Sequence, residues 1–149
     1  MPISRIDTFL RKLERRDRLS SAEAELLVDA AGDEVSFDMD SDLVREGDRP
    51  ATSTLLVSGL ATRYRVLSDG QRQITAIHVP GDFVDLHSLL LREMDHSVGA
   101  LRIPSVCPTP PPPSSTRDFA PLWRRSLRRN NNNVDAVRGG MMAWHRNRK

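Results

Sequence analysis

Leu43-Val44-Arg45-Glu46-Gly47-Asp48 opens, and Pro80-Gly81-Asp82-Phe83 closes, the stretch that decides the fold; Gly59 and the turn Ser68-Asp69-Gly70 lie between them. Gly47, Gly59, Gly70 and Gly81 recur at spacings of 12, 11 and 11, each beside turn-forming residues. Turns at intervals of about 8–12 residues mark an antiparallel sandwich or barrel of short strands. The segments between the turns alternate in polarity. Val35 and Phe37, then Thr62, Tyr64 and Val66 opposite Arg63 and Arg65, then Ile77 and Val79, predict short half-buried strands. The spacing of Phe83, Leu86 and Leu90 predicts one or two helical turns, after which 97–101 returns as a strand.

Upstream, residues 1–31 read as two helices that pack on this sheet. Ile6, Phe9, Leu10 and Leu13 follow i, i+3, i+4, i+7, which sets four apolar groups on one face and leaves Arg11, Lys12, Arg15 and Arg16 in water. Ser20-Ser21-Ala22-Glu23 has the S-x-x-E form of a capping box, whose hydroxyl and carboxylate satisfy the open amides of a helix start. Leu26, Leu27 and Ala30 supply the expected buried stripe.

Downstream, the composition breaks near Pro104. The net charge of +2 conceals an acidic part, residues 1–103 with 13 Lys/Arg against 18 Asp/Glu, and a basic part, residues 104–149 with 9 against 2. Seven of the ten prolines and both tryptophans fall in the second part, which divides the chain into N-terminal helices over 1–31, a β domain over 32–103 and a Pro/Arg/Asn-rich tail over 104–149. Pro108 and the run 110–113 withhold backbone donors, so 104–116 is expected to be an extended linker rather than a core strand. Further on, Trp123 stands beside Arg124, Arg125, Arg128 and Arg129. An indole for stacking among guanidinium groups for phosphates is the pattern of sequence-independent nucleic-acid binding. A disordered basic tail is the plainer reading of the same composition.

The turn at 43–48, Gly59, the Ser68-Asp69-Gly70 hairpin and Pro80-Gly81-Asp82-Phe83 together resemble the N-terminal effector domain of Crp/Fnr-type bacterial transcription regulators, over residues 10–101. The resemblance implies a mainly β fold, a double-stranded β-helix (jelly roll) of the cyclic-nucleotide-binding kind, with N-terminal helices and a disordered or short-helical C-terminal tail. It also implies a small-molecule effector, a cyclic nucleotide or another small anionic ligand. In cyclic-nucleotide-responsive members a glycine, an acidic residue and an Arg-Ser pair form the ligand cassette. Here Gly81 stands at the glycine, Asp82 replaces the usual Glu, and His96-Ser97-Val98 stands where those members carry Arg-Ser-Ala. Gly81, Asp82, His96 and Ser97 are therefore the candidate ligand-binding set. A mostly neutral imidazole lacks the charge and the two-pronged geometry of a guanidinium, so weak binding of cyclic AMP is expected. The plainer alternatives are a structural turn capped by Asp82 and a solvated strand entrance at His96-Ser97.

Several chemistries are excluded. Residues 1–106 contain no cysteine, which rules out the cysteine-ligated oxygen sensing of the Fnr-like branch and leaves His78, His87 and His96 as the candidate haem ligands. His78 and His87 are nine residues apart and no His-x-His occurs, so a cupin-type metal enzyme fails on spacing. Neither a Gly-x-Ser-x-Gly elbow nor a Walker loop is present, and the chain is not expected to be an enzyme. The residues after Asn133 are too few for a winged helix-turn-helix, so no sequence-specific DNA binding by this chain alone is expected. Leu122-Trp123 and Val134-Asp135-Ala136 resemble pieces of the family's dimerisation helix separated by the asparagines at 130–133, which implies a truncated regulator that is a monomer or weak homodimer. No run approaches the ~20 apolar residues of a membrane span. Arg5, Asp7, Arg11 and Lys12 stand where a signal peptide needs an apolar centre, so a cytoplasmic protein is expected.

Overall fold

The computed structural model describes residues 5–15, 18–85 and 93–109. Two helices, α1 (Asp7–Glu14) and α2 (Ser21–Ala30), precede five strands, β1 (Val35–Ser36), β2 (Asp42–Val44), β3 (Ser53–Val66), β4 (Arg72–His78) and β5 (Ser97–Thr109). All strand pairings are antiparallel, in the order β1-β5-β3-β4, with β2 also paired to β5. The four turn glycines singled out in the sequence all have positive φ. The capping box also forms: Ser20 Oγ accepts from the Glu23 N–H while the Glu23 carboxylate accepts from the Ser20 N–H.

The ladder between β3 and β5 organises the rest. It runs from Ser53↔Thr109 to Tyr64↔Ser97 with three register shifts. Extra residues at such shifts bend and twist a long strand, which lets one pair of strands wrap a roll instead of lying flat. Gly59 sits at the tightest point, with φ of +79°, where a Cβ would lie 2.4 Å from the carbonyl oxygens of Arg102 and Ile103.

This ladder corrects the expected linker at 104. Residues 104–109 are strand, paired to β3 and, at Ser105 and Val106, to β1. A proline lacks only the donor, and both prolines here are used as acceptors: Pro104 O from the Phe37 N–H at 3.0 Å and Pro108 O from the Gly32 N–H at 2.7 Å. Cys107, which falls within the expected proline-rich linker, is fully buried, and burial pushes its thiol pKa up. Residues 110–116, the turns expected around Leu86 and Leu90, and the rest of the tail lie outside the described residues.

Two apolar clusters share the same strands. Ile6, Phe9, Leu27, Leu55 and Phe83 form the first, and Leu56, Ala61, Val84, Val98 and Val106 the second. Leu55 and Leu56 are neighbours, as are Phe83 and Val84, and strand alternation sends each pair to opposite faces. One face thus receives the helices and the other fills the roll. Phe9 meets Phe83 edge to face at 5.2 Å between ring centroids, a favoured aromatic geometry. The expected α1 stripe holds, whereas in α2 Leu27 is buried and Leu26 is 39% exposed. In β4 the phase is opposite to that read from the sequence: Ile77 is 52% exposed and His78 is fully buried.

Two substitutions report on these contacts. Gly59→Ala meets both a positive φ and two backbone oxygens, whereas Gly70→Ala, with nothing within 4 Å, meets the φ strain alone. The second is expected to cost about 1–2 kcal/mol and the first to abolish cooperative unfolding in urea. Equal midpoints for the two variants would contradict the tight crossing at Gly59.

A candidate ligand site in the roll

In antiparallel ladders, residues directly opposite one another project to the same face. The registers Ala61↔His78 and Ala61↔Ala100 therefore make one row, and Arg63↔Ala76 and Arg63↔Val98 make the next. Ala61 and Val98 belong to the cluster that fills the roll, which fixes this as the inner face. The members of these two rows are small or apolar except for Arg63 and His78. Among the described residues, neither ring nitrogen of His78 has a hydrogen-bond partner. Burial pulls its pKa down from 6.5 to about 4; the nearby Asp82 charge opposes the shift, while Arg63, His96 and Lys12 add to it. The imidazole is therefore neutral at pH 7. Arg63 also has a lowered pKa, from burial first and against the pull of Asp95.

The segment after β4 carries three buried acidic or glycine positions. Gly81 has φ of +87°, and its N–H donates to Leu56 O at 2.8 Å. A Cβ there would come within 3.4 Å of Thr8 O, Phe9 Cα and Lys12 Cδ, so the missing side chain is what lets α1 approach. Asp82 is 2% exposed. One of its oxygens accepts from Lys12 Nζ of α1 and the other from the Val79 N–H at 3.1 Å. Asp85 is fully buried and holds the start of β3, accepting from the Thr54 N–H at 2.6 Å and the Thr54 hydroxyl at 2.7 Å. Desolvation raises its pKa from 3.8 to about 6, in spite of those hydrogen bonds.

At the start of β5, His96 is 4% exposed, with Nδ1 at 2.6 Å from Asp95 Oδ1. The solvated entrance considered for this position is therefore corrected to a buried one. Ser97 Oγ accepts from the Glu46 N–H at 2.9 Å. Opposite it, the Tyr64 hydroxyl donates to Asp42 at 2.6 Å, and the Arg72 guanidinium lies 4.5 Å from the Tyr64 ring centroid. Burial first, then Asp42, pushes the Tyr64 pKa up.

Of the four residues expected from sequence, Gly81 and Asp82 lie against α1, and His96 and Ser97 lie at the head of β5. His78 connects the two groups, because the charges of both Asp82 and His96 act on it. In the sequence His78 is read only against haem and metal ligation, and Arg63 has no ligand role. The legible signal was two polar residues in the phase of Ala61, Ala76 and Ala100. Trp123, Arg124, Arg125, Arg128, Arg129 and His87 lie outside the described residues. Among the described residues, no group of three or more His, Cys, Asp or Glu is placed to hold a metal ion, and no helix is long and apolar enough to cross a membrane.

The site thus lies in a bent antiparallel roll backed by N-terminal helices, with polar groups on its inner face. The family model described as "Cyclic nucleotide-binding domain" matches residues 34–107, and the chain carries a domain of that family. Its fold is shared with the regulatory domain of Toxoplasma gondii PKA in complex with cAMP (TM-score 0.59, 19% identity, 71% of this chain and 40% of that one). It is shared too with the Thermus thermophilus Catabolite Activator Protein (0.59, 21%, 90% and 59%) and DNR from Pseudomonas aeruginosa (0.61, 17%, 93% and 65%). Regulators of the CRP/FNR family are thus among its structural neighbours. The chain spans 40% and 59% of the length of the first two. No curated protein matches it in sequence.

His78 and Asp85 make opposed contributions to stability in acid. The unfolded chain protonates His78 near pH 6.5 and the fold only near pH 4, so stability is lost as pH falls through that window. Asp85 takes its proton near pH 6 when folded and near 3.8 when unfolded, so acidification adds stability over nearly the same interval. Each amounts to roughly 3 kcal/mol, and the pair is expected to leave a flat profile between pH 6.5 and 4. Urea unfolding should then show Asp85→Asn losing stability in acid and His78→Leu gaining it. Parallel profiles for the wild type and both variants would contradict the two burials.

Proposed function

We propose that the chain is the effector domain of a Crp/Fnr-type transcription regulator: a non-enzymatic sensor of a small anionic molecule. The observation that carries this reading is the polar inner face of the roll. A roll kept only for stability is expected to line its interior with hydrocarbon, because each unbonded buried polar group costs about 1–3 kcal/mol. Here His78 is buried with both nitrogens unbonded. The family match over 34–107 and the shared fold support a ligand in that place.

Cyclic AMP is not the favoured ligand. Cyclic-nucleotide-responsive members set an arginine where His96 stands, and His96 is already engaged with Asp95. Gly81 and Asp82 frame the site from the side of α1, and Ser97 stands at its β5 edge. The chain is expected to be a monomer or weak homodimer in the cytoplasm.

Thermal and urea unfolding of the full chain, in the presence of a panel of small anionic metabolites, tests this reading. At least one compound is expected to stabilise the fold, by roughly 2.7 kcal/mol at a hundredfold excess over its Kd, while cyclic AMP at 0.1 mM gives no measurable shift. A panel without any stabilising compound would overturn the sensor reading, and micromolar binding of cyclic AMP would overturn the preference against that nucleotide.

A further inference from the structure

Arg63 and His78 lie on adjacent strands of the inner face, one row apart, and the other described members of the two rows are Ala61, Ala76, Ala100 and Val98. His78 is fully buried, and neither ring nitrogen is bonded among the described residues. Buried polar groups in native folds are nearly always paired, and an exception calls for a partner from elsewhere. Arg63 Nε donates to Thr75 Oγ1 at 3.0 Å. Its terminal amino groups make no ion pair among the described residues, and the acidic group whose charge acts on it is Asp95. A partly desolvated guanidinium, held through Nε by Thr75, and a dry imidazole one row away leave the Arg63 terminal amino groups and the His78 ring without an acceptor among the described residues.

We propose that Arg63 and His78 together form the anion-binding pair of this roll, taking the phosphate or carboxylate group of a small organic effector. The inference rests on the sensor reading and names the chemistry of its ligand. It also answers the absence of an arginine before Ser97: the positive charge enters the roll from β3 instead of from the head of β5. Arg63 provides charge and a planar fork of donors, which suits a phosphate or carboxylate. The neutral His78 provides one further N–H.

The pair has a proton-linked signature. The groups acting on His78 are Asp82 from the turn after β4, Arg63 from β3, His96 from the head of β5 and Lys12 from α1. A bound anion adds negative charge beside the imidazole and favours its protonated form. Binding therefore takes up a proton and tightens in acid.

The test is calorimetric titration of the full chain with inorganic phosphate, cyclic AMP and succinate, at pH 5.5 and 8, for the wild type, Arg63→Gln and His78→Leu. At least one probe is expected to bind the wild type, with affinity at least tenfold lower in each variant. Tightening at pH 5.5 should persist in Arg63→Gln and vanish in His78→Leu. His78→Leu replaces an unbonded polar ring by hydrocarbon of similar size, so it should unfold in urea no earlier than the wild type, and its loss of binding is then not loss of the fold. Binding of phosphate and cyclic AMP assigns a phosphate group, and binding of succinate alone a carboxylate. Affinity undiminished in both variants overturns the pair and leaves the sensor reading standing. Failure of all three probes to bind the wild type overturns the pair, and the sensor reading falls with it only where the metabolite panel also yields no stabilising compound.

Discussion

The antiparallel pairing of β3 with β5 is the constraint on which the structure depends. It joins residues that are 56 positions apart at Ser53↔Thr109 and 33 apart at Tyr64↔Ser97, and every other strand attaches to one of its two members. Closing so long a loop costs chain entropy before any contact repays it. The return comes from two faces at once, because Leu55 and Leu56 each anchor a different cluster. The bulges bend the ladder, and Gly59 permits the bend by letting β3 pass against the Arg102 and Ile103 carbonyls. The same registers decide which side chains look inward, so Arg63 and His78 face the interior as a direct result of strand pairing.

The junction between α1 and the roll explains how structural and ligand roles divide. Gly81 and Asp82 are absorbed by this junction, the first through close approach and the second through Lys12. A carboxylate 2% exposed needs its cation: removing one partner of a buried pair leaves an uncompensated charge. Asp82 is thus committed to holding α1, and Asp85 to fixing Thr54. The inner face keeps the groups that the fold itself does not use. His78 couples the two regions, since the charges of Asp82 and Lys12 both reach it.

Much of this was legible in the sequence where local physics decides the outcome. The glycine spacing marked turns that need positive φ, the α1 stripe matched its burial, and Ser20 with Glu23 formed the capping box. Misreadings arose where a partner distant in sequence overrides local preference. The prolines of 104–109 suggest a linker until Phe37 and Gly32 are seen to use their carbonyls. Alternation in β4 suggested Ile77 and Val79 as the inner residues, and only the pairing with Ala61 turns His78 inward. The pattern of a strand gives its period readily, whereas its phase depends on which neighbour it meets. For the site, the resemblance pointed to both ends of the cassette, and the polar pair on the inner face emerged from register alone.

The central claim is that His78 lies dry and neutral on the inner face of the roll, and the side-chain ¹⁵N resonances of its imidazole report this directly. Followed from pH 7.5 downward on the folded chain, they are expected to remain those of a neutral ring until about pH 4. Protonation near pH 6.5, the value of a solvated histidine, would show that water reaches the ring and that the inner face is not as described.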